Sequence, residues 1–169
     1  MGKSSVIGIA KGHFRTLRDA RTGRIRKHDL VWQIGLPVAC GIACALCKWH
    51  LNDASNAIVG ISIVAALMCA MAALIFQIRL DLDKAPVAEK RDVELIDEVF
   101  ANVMWAILMG LVLALYLIVV DAMGLFNENA PAIIVSSIAV ALCAHFVFVV
   151  GMCLKRFQRS YERIAASRL

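Results

Sequence analysis

Leu108-Met109-Gly110-Leu111-Val112-Leu113-Ala114-Leu115-Tyr116-Leu117-Ile118-Val119-Val120 is apolar on every side of a helix. A helix that packs in a soluble bundle keeps a polar stripe for water, and this one has none. It lies inside a longer run, 99–120, that contains no Asp, Glu, Lys or Arg, and three other runs are equally bare: 30–47, 54–78 and 130–154. In chain order the four runs have 18, 25, 22 and 25 residues, together 90 of the 169 positions. A helix rises about 1.5 Å per residue, so about 20 apolar residues cross a hydrocarbon core of about 30 Å. The composition agrees: 61% of the residues are apolar, against about 45–50% in an ordinary soluble domain. The chain therefore reads as an all-α integral membrane protein with four transmembrane helices per subunit, at 30–51, 54–78, 99–120 and 130–154.

The charges outside these runs give an orientation. Of the 18 Lys and Arg residues, 8 lie in 1–29, 1 in 48–53, 4 in 79–98, none in 121–129 and 5 in 155–169. Positive charge stays on the cytoplasmic side of a membrane, so both termini and the middle loop are expected in the cytoplasm of a bacterial inner-membrane protein. A secretory leader would need an apolar stretch near the start. Residues 11–27 instead carry Lys11, Arg15, Arg18, Arg21, Arg24, Arg26 and Lys27, so no cleavage is expected. Met1-Gly2-Lys3-Ser4-Ser5-Val6 opens like a myristoylation signal but has Val6 where Ser or Thr is required.

Five of the six cysteines (Cys40, Cys44, Cys69, Cys143, Cys153) fall inside apolar runs and Cys47 is the last residue of one, and no disulfide framework is implied. Cys40, Cys44 and Cys47 share a helix face with His50 one turn on, the residue types of a zinc site. Thiolates at the edge of hydrocarbon without carboxylate support argue against it, and small-residue helix packing accounts for the same pattern. No metal and no cofactor are expected.

Outside the spans the chain sorts into a basic segment (1–29), an acidic loop and helix extension (79–98) and a basic tail (155–169). In the first, Arg15, Arg18, Arg21, Arg24 and Lys27 recur every third residue, with Arg26 beside them. The residues between are too polar for a voltage-sensing span, and the Arg21/His28 pair is too loose a pattern for nuclease chemistry. Two readings of the stripe stand together. It sets topology and attracts anionic lipid, or it binds a polyanion such as a nucleotide through bidentate guanidinium contacts. Lys155, Arg156, Arg159, Arg163 and Arg168, with Tyr161, would complete such a site from the other terminus.

Residues 79–98 hold seven Asp/Glu against four Lys/Arg. Beyond Pro86 the apolar spacing Val93, Ile96, Val99/Phe100, Val103 is helical, so the third span is expected to extend two or three turns into the cytoplasm. Glu94, Asp97 and Glu98 would then stand at its inner boundary. Repeated around a symmetry axis they would form acidic rings at a pore mouth; otherwise they are a solvated helix end. Asn102, Gln33 and Gln77 lie close by. His145 is the one ionisable side chain near the middle of a run, where such groups suggest function, although a hydrogen bond to Ser62, Ser136 or a backbone carbonyl would also account for it. In the second span Ala65, Cys69 and Ala73 form one row of small residues and Ala66 and Ala70 another, suited to close packing within a subunit, between subunits or both.

No catalytic constellation is present: there is no phosphate loop, no carboxylate pair within a span and no Ser/His/Asp set, and the chain is expected not to be an enzyme. A coupled exchanger would need a carboxylate in its spans. What remains is a pore former or a membrane scaffold. Four helices alone do not enclose a gated pore with charge rings, so a channel requires an oligomer, most economically a homotetramer.

Leu17-Arg18-Asp19-Ala20-Arg21-Thr22-Gly23-Arg24-Ile25, Ile61-Ser62-Ile63-Val64-Ala65-Ala66-Leu67, Phe100-Ala101-Asn102-Val103-Met104-Trp105-Ala106-Ile107-Leu108, and His145-Phe146 through Leu154-Lys155-Arg156 are similar to segments of small four-span membrane proteins of bacterial phage defence. The chain most resembles the channel components of Hailong systems, and more distantly the Rex exclusion membrane proteins of temperate phages and the membrane subunits of Kiwa. The Hailong resemblance implies a tetrameric ion channel held closed by an oligodeoxyadenylate from a partner nucleotidyltransferase; release of the block would depolarise the membrane. The residues themselves suggest Arg15, Arg18, Arg21, Arg24, Arg26 and Lys27 as the ligand site and Glu94, Asp97, Glu98, Asn102 and His145 as pore or gate. The competing expectation is a non-conducting sensor or scaffold that docks a soluble cytoplasmic protein through 1–29 and 155–169.

Overall fold

The computed structural model describes residues 31–84, 90–127 and 129–166, and every regular element among them is a helix. A π-helical turn, Val31–Gly35, leads into α1, Leu36–Leu46. Three long helices follow: α2 is Ser55–Lys84, α3 is Lys90–Ala122 and α4 is Asn129–Ala166. Within them Ser55–Leu82, Val93–Ala122 and Pro131–Glu162 (28, 30 and 32 residues) are long and apolar enough to cross a membrane. The shorter apolar stretch Val31–Leu46 spans roughly 24 Å at 1.5 Å per residue. The outer faces carry large apolar side chains, among them Leu67, Leu111, Leu115 and Val147, each about three-fifths exposed. Water would penalise a continuous surface of that kind, and lipid would not.

Each helix boundary has a local cause. The sequence reading carries the first span to residue 51, but α1 stops at Leu46. Lys48 adopts φ 52°; its N–H donates to Ala45 O (3.1 Å) and the Trp49 N–H to Cys44 O (3.2 Å). These two bonds make a Schellman closure, in which the left-handed position is usually glycine. A lysine there costs about 1–2 kcal/mol, which is why nothing in the residue type announces the stop. At the start of α2, Asp53 Oδ1 accepts from the Ser55 N–H (2.8 Å) and from Ser55 Oγ (2.7 Å), placing a carboxylate at a helix N-terminus whose dipole favours it. α3 starts at Lys90, nine residues before its uncharged run, and ends at Ala122, two residues before Gly124 (φ 67°) turns the chain. The 3-10 turn Leu125–Asn127 then tucks Phe126 into the core. α4 passes without interruption through Lys155, Arg156, Arg159 and Arg163.

The helices pack in the order α1, α4, α3, α2: α1 contacts α4, α4 contacts α3, and α3 contacts α2. They form an open layer instead of a closed four-helix ring. Ala54, Ile61, Leu113, Leu117, Phe126, Ala139 and Phe146 fill the end of the layer near the α3–α4 turn. Met68, Ile75, Ile96, Val99, Val103, Val149 and Cys153 fill the other.

Two glycines set how closely the helices approach. A Cβ on Gly110 of α3 would stand 3.0 Å from the Phe146 ring of α4 and 3.4 Å from Ala65 of α2. A Cβ on Gly41 of α1 would stand 2.8 Å from the Ser137 carbonyl oxygen and 3.0 Å from Ala141 Cβ. The small-residue rows of α2 are thereby divided: Ala65 faces α3, while Ala66, Cys69, Ala70 and Ala73 are exposed.

Gly41→Ala is expected to cost about 1–3 kcal/mol, because the collision is with backbone that has no rotamer to change. Gly60→Ala and Gly151→Ala, with nothing within 4 Å, are expected to be neutral or slightly stabilising; thermal unfolding of the three variants in detergent separates these cases. A second expectation concerns acid. The hydrogen bonds from the Ser55 hydroxyl and then the Ser55 N–H hold Asp53 below its ordinary value of 3.8. A depressed folded-state pKa stabilises above the unfolded value and is lost as pH falls through the folded one. Asp53→Ala should therefore be less stable than the parent at pH 6, and the difference should shrink once pH drops below 3.8.

Candidate functional site

Charged side chains that border the apolar runs meet at one end of the layer. Arg79 follows the α2 run, Asp97 and Glu98 precede the α3 run, and Arg156 lies just past the α4 run. Arg79 Nε donates to Asp97 Oδ1 at 3.0 Å, joining α2 to α3. Arg156 Nη1 lies 3.7 Å from Glu98 Oε2, joining α4 to α3. The first is a charge-assisted hydrogen bond; the second is too long for one and acts through Coulomb attraction. With the Asp97 and Glu98 side chains 59% and 48% exposed, each pair contributes roughly 0–1 kcal/mol after solvent screening.

Four of the five residues proposed for the pore or gate lie on this part of α3. Glu94 is exposed one turn before Glu98. Asn102 is fully buried, and its Nδ2 donates to Glu98 O at 2.8 Å within the same helix. Gln77 is exposed on α2 and Gln33 is buried. The proposed ligand residues Arg15, Arg18, Arg21, Arg24, Arg26 and Lys27 lie outside the described residues. Among the described residues, no group of three His, Cys, Asp or Glu is placed to hold a metal ion; Cys44 instead donates to Trp49 O at 3.4 Å.

The fifth residue stands apart. His145 lies eleven residues before Arg156 on α4, roughly 16 Å deeper along the axis, and its Nδ1 is 3.0 Å from Gln33 O of the π-helical turn. The contact ties α4 to the π-helical turn that precedes α1. A carbonyl only accepts, so the bond places the ring proton on Nδ1. Of the three partners considered from the sequence, a backbone carbonyl is the one found. Ser62 donates to Ile58 O (2.7 Å) within its own helix, and Ser136 Oγ accepts from the Leu51 N–H (2.9 Å).

Sequence reasoning passed over Arg79 and placed Arg156 in the basic tail, not beside Glu98. For both the signal was available: opposite charges that border different apolar runs at the same end come to one level.

The chain matches no protein-family model, no curated protein and no solved structure.

His145→Ala should lower stability by about 0.5–1.5 kcal/mol, the net worth of one hydrogen bond; thermal unfolding of the parent and the variant in detergent measures it.

Proposed function

We propose that this chain is the subunit of an oligomeric ion channel of the bacterial inner membrane, an anti-phage effector gated by a nucleotide-type ligand or partner that depolarises the membrane when open. The observation that supports it best is the uncovered face of α2. Ser62, Ala66, Cys69, Ala70, Ala73 and Gln77 are all exposed and recur at helical spacing within about a third of the helix circumference. In a lone subunit this lane of small, weakly polar side chains would face acyl chains. Neighbouring copies would bury it by close approach, or a pore would wet it. The tetramer and the cytoplasmic termini follow from the economy of symmetry and the distribution of Lys and Arg. The defence role follows from the resemblance of the four quoted segments, and the gating role from the arginine stripe of 1–29. On this reading the chain is not an enzyme and uses no cofactor.

A second reading is favoured by one observation. Asp97 and Glu98 have cationic partners within the same subunit, which weakens them as a bare acidic ring. In that reading the chain is a non-conducting scaffold that presents its basic cytoplasmic segments to a soluble partner.

The test is conductance of purified full-length protein in planar bilayers, with and without oligodeoxyadenylate. The channel reading expects cation-preferring currents closed by the oligonucleotide, and a clear fall in cation preference in the Glu94→Gln/Asp97→Asn/Glu98→Gln variant. Protein that is monomeric in detergent and electrically silent under all conditions overturns it. Unchanged permeability with lost binding to 1–29-dependent partners supports the scaffold.

A further inference from the structure

Between α2 and α3, at the Arg79/Asp97 end of the layer, a groove of about 220 Å³ is lined by Ile75, Phe76, Arg79, Ile96, Asp97 and Phe100. Ile75 and Ile96 are buried and form the floor, while Phe76 is more than half exposed and Phe100 is half-buried. All four lie within a turn or so of the place where the uncharged runs of α2 and α3 end. The paired guanidinium and carboxylate stand at the rim, where those runs give way to charge. A groove that sets apolar side chains beside one such charged pair matches a phospholipid, whose chain lies in hydrocarbon while its head stays at the interface.

The charge pattern narrows the headgroup. Arg79 and Asp97 set one cation and one anion side by side, complementary to the phosphate and ammonium of a zwitterionic head. Glu94, one turn before Asp97, and Asp81, two residues after Arg79, are both exposed, so the turns next to the pair carry further carboxylates for an ammonium. A primary ammonium has N–H donors for carboxylates, whereas a quaternary trimethylammonium has none.

We propose that the α2–α3 groove is a lipid site selective for phosphoethanolamine headgroups, with the phosphate at Arg79, the ammonium at Asp97 and Glu94, and the first part of an acyl chain against Ile75, Phe76, Ile96 and Phe100. The site rests on the membrane-spanning reading but not on conduction or defence. An ethanolamine lipid there would bridge α2 and α3 just where the Arg79–Asp97 pair joins them.

Native mass spectrometry of the full-length chain, delipidated and then titrated with ethanolamine, choline and glycerol phospholipids of identical acyl chains, tests it. The expected result is one tightly held ethanolamine lipid per subunit, retained about tenfold over the choline and glycerol lipids, the discrimination given by one charge-assisted hydrogen bond. Asp97→Asn should bring the ethanolamine and choline lipids close to parity, and Arg79→Gln should weaken all three. The headgroup series on the unaltered chain needs no variant to fold. Equal retention of the three lipids, a preference for the anionic one, or an undiminished ethanolamine preference in Asp97→Asn overturns the site. Failure of the chain to enter lipid nanodiscs overturns the site and the membrane reading together, whereas entry without selectivity overturns the site alone.

Discussion

The closeness of helix approach at Gly110 governs the rest of this architecture. Lipid tails are as apolar as leucine, so helices gain little by leaving them, and association depends on how many atoms meet at van der Waals distance. Gly110 lets the Phe146 ring lie against the α3 backbone and admits Ala65 from the other side, so one position without a Cβ joins three helices. The buried residues around it, Ile61, Leu113, Leu117 and Ala139, complete the same contact along α3.

α1 is held differently. It touches α4 but neither α2 nor α3, and three ties fasten it: the close approach at Gly41, the Leu51–Ser136 hydrogen bond and the His145–Gln33 contact. Two of the three are polar, and such bonds are strong where little water competes for the groups. His145 is thereby accounted for as a residue that fastens α4 to the turn before α1.

The helices were legible from the sequence because an uninterrupted apolar run has one solution in lipid, a helix that satisfies its own backbone. The extension of α3 beyond its run was equally legible, through the spacing of Val93, Ile96, Val99 and Val103. The end of α1 was not, because Lys48 occupies a conformation that its chemistry does not advertise. Nor was the division of the alanine rows. Ala65 and Ala66 are neighbours of one kind, and only the position of Gly110 decides which faces inward. For the site, the acidic group on α3 was visible as composition, but its neutralisation by Arg79 and Arg156 depends on how far each helix runs before the next begins, which is a matter of register between helices.

The two ends of the layer are consequently held by different forces. At the α3–α4 turn the ties are hydrogen bonds of short reach: Tyr116 Oη donates to Val135 O at 2.9 Å, the Leu51 N–H to Ser136 Oγ at 2.9 Å, and Phe126 plugs the core between them. The neutral bonds among these are insensitive to ionic strength, and both connecting loops there are short. At the opposite end the apolar core of Ile75, Ile96, Val99, Val149 and Cys153 is joined by two exposed ion pairs, one of them 3.7 Å long. Such pairs are screened within about 10 Å at 0.1 M salt and are individually weak. The polar ties at the Arg79/Asp97 end therefore depend on ionic strength, and what holds α2, α3 and α4 together there is chiefly the packing of those buried side chains.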